Sequence, residues 1–308
     1  FRRVLFRSDL QLNGYKGVDF NADDLSLDRM RRACAAVRAD GGGRMLATVI
    51  TDRLDAMAAR IARLAEFHAA DADIRAVMAG IHVEGPFING GPGYVGAHPA
   101  PHVMPASPAA AARLLDAGGG LVRLLTLAPE CDEGLATVRF LAREGVCVSA
   151  GHCDPSRELL ARAVDAGLSA FTHLGNGCPL SLHRHDNIIS RVLALDGLKF
   201  VMVIADGVHV PPWVLASWIR QIGIDRTVAV TDGTAAAGMP PGRYTLGGRE
   251  VIVASDGAAW SPDRSHLVGS TATPADIGRI LRDAVGLSAA DSDRLTTLNP
   301  ARMIGGSP

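Results

Sequence analysis

Apolar residues occur along this chain in short runs, and each run ends in polar residues before a helix-like segment begins. Most of these runs are apolar on both faces, and alternation with helices is typical of a parallel sheet covered by helices. Eight strand–helix units favour a closed (β/α)8 (TIM) barrel over an open doubly wound sheet. The eight runs are DLQLNG from position 9, RMLATVITD from 44, VMAGIHVEG from 77, LVRLLTLAPE from 121, GVCVSAGH from 145, LSAFTHLGN from 168, KFVMVIADGVH from 199 and RTVAVTDG from 226.

The segments between the runs predict helices. Ser107-Pro108 and Asp154-Pro155 have the pattern of an N-cap followed by proline in the first helical position. After the eighth strand, residues 242–260 alternate and turn like an inserted β-hairpin. The predicted helices are Asp52–Ala70, Ser107–Ala117, Asp132–Arg143, Pro155–Ala166, Pro212–Ile222, Thr273–Val285 and Asp291–Leu298.

The first eight residues, FRRVLFRS, stand apart from this pattern. Their RVLFRS part matches what a common sequencing-library adapter would encode if it were translated. We therefore interpret residues 1–8 as a non-native artefact and exclude them from the fold. The prediction for the rest is one barrel domain over residues 9–308, with residues 242–260 as an insertion.

The composition of the chain argues against several classes of protein. The 308 residues carry a formal net charge of −1, which gives no electrostatic case for nucleic acid or an anionic membrane as a partner. No apolar run approaches the roughly 20 residues of a membrane helix, and no signal-peptide pattern begins the chain. The five cysteines are scattered without a C-x-x-C pair. We expect a cytoplasmic protein.

Polar residues recur where the predicted strands end. A lone histidine there is more often a hydrogen-bonded structural residue. Repetition at successive strand ends is harder to explain by packing, because burial of unpaired ionisable groups is costly. In a barrel these ends share one mouth, where barrel enzymes build their sites. The residues are Gln11, Asn13, Glu84, Glu130, His152, His173, His209 and Asp232.

Two histidines and a carboxylate from three strands are typical of an open divalent-metal site. We predict Glu84, His152 and His173 as the ligands. Such an ion lowers the pKa of its bound water towards about 7. Asp232 is the predicted base on that water and acid towards the leaving group, and His209 the predicted donor to the oxygen under attack.

The motifs HVEGPF, VSAGH, FTHLGNG, IADGVH, VTDGTAAAG and LVGST follow one another along the chain. In this order and spacing the chain resembles the N-acetylglucosamine-6-phosphate deacetylases of the amidohydrolase superfamily. The resemblance implies hydrolysis of N-acetyl-D-glucosamine 6-phosphate to D-glucosamine 6-phosphate and acetate. Metal-bound water would attack the amide carbonyl, in amino-sugar catabolism or cell-wall recycling.

The resemblance also implies residue roles. It agrees with Glu84, His152 and His173 as metal ligands and Asp232 as acid/base. Arg184 would bind phosphate in the site of a neighbouring subunit, which implies a homodimer. Further substrate contacts fall on Ala97, His98, Asn176, Gly177, His209, Leu267, Val268 and Gly269.

The chain departs from related enzymes in its metal ligands. It has Gln11 and Asn13 where many superfamily members have H-x-H, and no lysine in the fourth strand. We therefore expect one divalent ion per subunit, with Zn2+ as the first choice and other divalent ions as alternatives. Gln11 and Asn13 would mark the vacated second-metal position. His82 shares the face of Glu84 one layer deeper and is predicted to support it.

A second departure concerns the ends of the chain. The small β-sandwich that family members usually carry is expected to be largely missing. Two alternatives to the deacetylase stay open. One is another amidohydrolase that acts on a different N-acyl or cyclic amide, and the other is a non-catalytic amidohydrolase-like scaffold, which the presence of Glu84, His152, His173 and Asp232 disfavours.

Overall fold

The structure, a computed structural model, describes residues 7–305. The interpretation of residues 1–8 as an artefact therefore falls mostly outside the described residues. Arg7 and Ser8 begin the first strand. None of the described helices combines the length and the apolar character that crossing a membrane requires.

Thirteen strands form within the described residues. Eight of them make one parallel sheet, in the order β1-β4-β5-β6-β7-β8-β9-β10. The strands are β1 (Arg7–Leu12), β2 (Gly14–Tyr15), β3 (Val18–Asp19), β4 (Gly42–Ile50), β5 (Met78–Glu84), β6 (Val122–Leu127), β7 (Cys147–Ala150), β8 (Leu168–Phe171), β9 (Phe200–Ile204), β10 (Thr227–Val230), β11 (Gly242–Leu246), β12 (Arg249–Val253) and β13 (Ala259–Trp260).

Helices follow the barrel strands and cover the sheet from outside. The described residues also form three short 3-10 turns, at Ala100–His102, Pro129–Cys131 and Glu133–Leu135, and a π-helical turn at Arg294–Leu298. The α-helices are α1 (Leu27–Ala39), α2 (Leu54–Ala70), α3 (Ala72–Val77), α4 (Pro108–Gly118), α5 (Ala136–Arg143), α6 (Arg157–Ala166), α7 (Ile188–Leu193), α8 (Pro212–Ile222), α9 (Pro274–Asp283), α10 (Ala289–Asp293) and α11 (Asn299–Met303).

The sheet closes where its first strand meets the segment after its last. Leu12 and Gly233 form a parallel bridge. The buried Asp9 carboxylate accepts hydrogen bonds from the backbone N–H and hydroxyl of Thr231, with the hydroxyl at 2.5 Å. The predicted (β/α)8 barrel is therefore confirmed. Its interior is filled by apolar side chains such as Leu46, Leu124 and Met202.

The hairpin predicted after the eighth barrel strand is also confirmed. Strands β11 and β12 pair antiparallel, and β13 adds a third strand. Leu246, Val251 and Val253 from this small sheet pack against Ile50 at the end of β4. The inserted sheet thus covers one side of the barrel mouth.

The predicted starts of α5 and α6 were wrong, and those of α2 and α10 were each displaced by two residues. Helix α6 begins at Arg157 with Ser156 as its N-cap, because the Ser156 side chain accepts the Leu159 N–H, whereas Asp154 pairs with Arg191. Helix α5 begins only at Ala136. The Asp132 carboxylate accepts the backbone N–H groups of its first turn from outside the helix. The predicted cap at Ser107 and Pro108 is confirmed.

Candidate active site

The predicted ligand residues lie together at the carboxyl ends of the barrel strands. Glu84 is the last residue of β5, while His152, His173 and Asp232 each lie two residues beyond the ends of β7, β8 and β10. The side chains of Glu84, His152 and His173 are buried, and Asp232 is half-buried. The backbone turns sharply at these positions, since φ is +51° at His152, +34° at His173 and +50° at Asp232. Non-glycine residues in this left-handed region are uncommon and concentrate at functional sites.

Three ligand atoms converge on one point. His173 Nε2 lies 2.9 Å from Glu84 Oε1 and 3.1 Å from His152 Nε2, and His152 Nε2 lies 3.3 Å from Glu84 Oε1. Donor atoms at the usual Zn–N and Zn–O distances around a tetrahedral ion are separated by about 3.3 Å. The triangle formed by Glu84, His152 and His173 therefore has the dimensions of one face of such a coordination shell.

The hydrogen bonds of His152 test whether these residues suit a cation. His152 Nδ1 lies 2.6 Å from the carbonyl oxygen of Tyr94, and a carbonyl can only accept, so Nδ1 carries the hydrogen. In the neutral ring, Nε2 then presents a lone pair to the Glu84 carboxylate. Two acceptors facing each other in a buried place repel unless a cation lies between them. The donor set thus fits a divalent metal ion, with Tyr94 orienting a ligand as outer partners do.

A second set of residues that could hold a metal ion includes His98. Glu84, His98 and His152 each offer a ligand atom within 4.8 Å of the other two. His98 Nε2 is, however, 3.9 Å from Glu84 Oε2, which is longer than the contacts of His173. On this geometry His173 suits the third ligand position better than His98. His98 is held by a 2.8 Å hydrogen bond between its Nδ1 and the Thr51 hydroxyl.

The surroundings of Glu84 favour the charged form of its carboxyl group. Burial would raise the pKa of Glu84, but the 2.9 Å hydrogen bond with His173 and the positive charge of that ring hold it well below its usual value. Gln11 Nε2 also donates to Glu84 Oε1 at 2.9 Å. The side-chain oxygens of Gln11 and Asn13 are buried without a partner among the described residues. Gln11 thus reaches the predicted ligand Glu84 directly.

Asp232 lies beside this cluster as an ionisable carboxyl group. Its Oδ1 accepts a 2.9 Å hydrogen bond from Asn13 Nδ2. Burial, together with the negative charge of Glu84, raises the pKa of Asp232 to about 7. A carboxyl group with this pKa can accept and return a proton near neutral pH.

His209 is paired with a carboxylate three residues earlier. Its Nδ1 lies 2.7 Å from Asp206 Oδ2, and both side chains are buried. Burial disfavours the charged ring, but Asp206 and the charge of Asp232 outweigh it, so the pKa of His209 is raised. Asp206 thereby orients the ring and favours His209 as a hydrogen-bond donor through Nε2.

His82 is fully buried below Glu84 on the same strand face. Its Nε2 lies 2.8 Å from the Thr126 hydroxyl and its Nδ1 3.5 Å from that of Thr48. Burial lowers the pKa of His82 to about 4, so the ring is neutral. His82 therefore belongs to a hydroxyl-lined layer beneath the predicted ligands and does not line the cavity.

A cavity of about 770 Å³ opens above the cluster and contains most of the predicted substrate contacts. Two of the predicted substrate contacts, Val268 and Arg184, do not line it. Val268 packs into the core of the inserted sheet, and Arg184 lies exposed on the loop after β8. Glu130 also stays outside, where its carboxylate accepts from Asn89 and from the backbone of Asp154. The predicted residues that line the cavity are Asn13, Glu84, Ala97, His98, His152, His173, Asn176, Gly177, His209, Asp232, Leu267 and Gly269.

The sequence reasoning missed one wall of this cavity. Ile50, Leu246, Trp260 and Arg264 line it, and three of these belong to the inserted sheet or the turn after it. The hairpin pattern was visible in the sequence, but its placement over the mouth depends on contacts between its apolar face and Ile50.

Gly177 shows why a residue without a side chain stands next to His152. A Cβ atom there would lie 2.7 Å from His152 Nδ1, and φ at Gly177 is +61°. Both the close approach and the left-handed backbone require glycine. Gly177 thus allows the loop after β8 to pass directly over the His152 ring.

Comparison with known proteins gives several long matches, although no protein-family model matches the chain. The chain is 30% identical to N-acetylglucosamine-6-phosphate deacetylase of Bacillus subtilis (strain 168) over 299 residues, which cover 96% of this chain and 74% of that protein. It is also 30% identical to N-acetylgalactosamine-6-phosphate deacetylase of Escherichia coli O157:H7, with 96% and 76% covered.

A solved structure agrees with these relatives. A mutant of N-acetyl-D-glucosamine-6-phosphate deacetylase from Mycobacterium smegmatis, in complex with N-acetyl-D-glucosamine-6-phosphate, superposes with a TM-score of 0.88 at 31% identity. The match covers 98% of this chain and 77% of that one. The sequence match covers nearly the whole chain at 30% identity, and the solved structure has the same fold. The chain therefore belongs to the N-acetylglucosamine-6-phosphate deacetylase family.

Proposed function

We propose that this protein hydrolyses N-acetyl-D-glucosamine 6-phosphate to D-glucosamine 6-phosphate and acetate. The observation that carries the proposal is the convergence of Glu84, His152 and His173 within 3.3 Å of one another, in the cavity that also contains Asp232. Proteins named for this reaction match nearly the whole chain. The alternative of a non-catalytic scaffold is disfavoured because no part of the constellation is lost.

The proposed ligands of the divalent ion are Glu84, His152 and His173, with Zn2+ as the first choice for their nitrogen and oxygen donors. When bound, the ion supplies Lewis-acid polarisation and lowers the pKa of water. Tyr94 holds His152 in the tautomer that leaves Nε2 free. Gln11 holds the Glu84 carboxylate in position.

Asp232 is the proposed acid/base of the reaction. It takes a proton from the attacking water and delivers one to the nitrogen of the leaving amino sugar. His209, oriented by Asp206, donates a hydrogen bond into the same cavity, where it would contact the substrate.

A second candidate substrate is N-acetylgalactosamine 6-phosphate. The N-acetylgalactosamine-6-phosphate deacetylase of E. coli O157:H7 is as similar in sequence as the B. subtilis protein. The two sugars differ only in the configuration of one hydroxyl group. The 4-epimer is therefore a candidate substrate for this cavity.

We also propose a homodimer in which Arg184 reaches the neighbouring site. Arg184 is exposed, and Leu180 on the same loop is fully exposed as well. Mixing Arg184→Gln with Asp232→Asn tests this arrangement. Arg184→Gln alone should raise KM. In a mixed dimer, the site of the Arg184→Gln subunit keeps its own Asp232 and receives the intact Arg184 of the Asp232→Asn subunit, so its KM should return towards the wild-type value. An unchanged KM would contradict it.

The proposed location is the cytoplasm. All five cysteines are free thiols, which is the state that a reducing compartment maintains.

The substrate proposal is tested by acetate release from N-acetylglucosamine 6-phosphate, N-acetylgalactosamine 6-phosphate and the two unphosphorylated sugars, with metal content measured on the same samples. We expect metal-dependent acetate release that is fastest with a 6-phosphorylated sugar. Absence of acetate from all four sugars, in protein that carries the metal, would contradict the proposal.

A further inference from the structure

A tight turn over residues 261–266 stands at the rim of the cavity. The Ser261 N–H donates to the His266 carbonyl at 3.0 Å. Inside the turn, the Asp263 carboxylate accepts from the Ser261 hydroxyl at 2.6 Å and from the Ser265 N–H and hydroxyl at 3.1 and 2.8 Å. These hydrogen bonds hold the pKa of Asp263 below its usual range. The Asp263 carboxylate therefore forms these hydrogen bonds within the turn.

The turn is anchored to the segment after β10 that contains Asp232. Trp260 and Leu267 pair across its base and both line the cavity. A few residues on, the Ser270 N–H donates to the Asp232 carbonyl at 2.8 Å. The position of the turn is therefore fixed relative to the proposed acid/base.

Arg264 occupies the tip of this turn and lines the cavity. Among the described residues that line the cavity, Arg264 is the only arginine or lysine, and Glu84 and Asp232 are the only carboxylates. Within the described part of the chain, no carboxylate lies within ion-pair distance of its guanidinium group, and no side-chain hydrogen bond is formed by it. Arg264 thus places a permanent cation, with no ion-pair partner among the described residues, at the rim of the proposed substrate cavity.

The backbone of Arg264 shares a property with the site residues. Six non-glycine residues among those described have φ between +34° and +58°, and Arg264 is one of them at +57°. Four of the six line the cavity, namely His152, His173, Asp232 and Arg264. Such conformations are unfavourable for arginine, and asparagine or glycine would suit the turn better. Turn formation alone does not explain an arginine at this position.

We propose that Arg264 binds the 6-phosphate of the substrate within its own subunit and sets the preference for phosphorylated sugars. The inference rests on the proposed function and adds a phosphate ligand distinct from Arg184. A planar guanidinium group can donate two parallel hydrogen bonds to phosphate oxygens. The dianionic phosphate also finds here the one permanent positive charge of the cavity.

The test compares Arg264→Gly, Arg264→Lys and the control Arg157→Gln, which removes an exposed arginine from α6 outside the cavity. Arg264→Gly should fold with an equal or higher Tm, because glycine tolerates the positive φ. The ratio of kcat/KM for phosphorylated over unphosphorylated N-acetylglucosamine should fall about tenfold or more in Arg264→Gly. It should fall less in Arg264→Lys and stay unchanged in Arg157→Gln.

A second measurement is independent of activity. Inorganic phosphate should bind the wild-type protein, raise its Tm, and bind Arg264→Gly at least several-fold more weakly. An unchanged phosphate preference and unchanged phosphate binding in Arg264→Gly would overturn the inference. Absence of acetate release from wild-type protein would overturn the proposed function instead, and phosphate binding would still decide the role of Arg264.

Discussion

The Nδ1 atom of His152 donates a 2.6 Å hydrogen bond to the carbonyl oxygen of Tyr94, and this contact determines which nitrogen of the ring faces Glu84. Tyr94 lies on the loop after β5. Asn89 on the same loop also donates its N–H to the His152 carbonyl at 2.9 Å. The loop and the predicted ligand are therefore positioned together.

Gly177→Ala should weaken metal binding. The added methyl group would lie 2.7 Å from His152 Nδ1 and push the ring away from Glu84. Disturbing the environment of a metal ligand typically costs 10- to 100-fold in affinity. A chelator competition assay measures the change. Gly134→Ala is the matched control, because its φ is +58° but a Cβ there meets nothing within 4 Å. Equal metal affinity in both variants would contradict the assigned orientation of His152.

Asp232→Asn should retain the metal and lose turnover. The amide keeps the size of the carboxyl group but cannot accept and return a proton. Loss of a general acid/base typically lowers kcat by about 10²-fold or more. Steady-state kinetics and metal analysis on the same preparation separate the two effects. Near-normal kcat in the variant would remove Asp232 from its proposed role.

Asp206→Asn should lower the pKa of His209, because the carboxylate is what outweighs burial of the charged ring. NMR titration of the His209 ring measures this directly. The pKa of His209 is raised in the folded protein, so the charged ring contributes stability that is complete below about pH 6.5, the unfolded pKa, and is lost as pH rises through the folded pKa. The free energy of unfolding of the wild type should decline over that window more steeply than that of Asp206→Asn. Parallel curves would contradict the coupling.

The barrel and its mouth could be predicted from sequence because both depend on local patterns. Two-sided apolar runs identify buried parallel strands, and polar residues at their ends must meet at one rim. Glu84, His152 and His173 were placed together on this argument, and the geometry brings their ligand atoms within 3.3 Å. Their roles as ligands remain a prediction.

Features set by distant contacts could not be predicted in the same way. The approach of His98 to Glu84 depends on how the loop after β5 folds back against Thr51. The start of α6 was misplaced because Asp154 pairs with Arg191, 37 residues further along the chain. Arg264 reaches the cavity only because the inserted sheet packs over Ile50. None of these contacts produces a periodic pattern of apolar and polar residues in the sequence.

Metal content of the wild type and of Glu84→Ala, measured by elemental analysis, tests the central claim most directly. We expect about one divalent ion per wild-type chain and close to none in Glu84→Ala, because two histidines alone leave the ion without its anionic ligand. Glu66→Ala removes an exposed carboxylate from α2 and should retain the wild-type content. Equal metal in Glu84→Ala and Glu66→Ala would contradict the assignment of Glu84, His152 and His173 as one metal site.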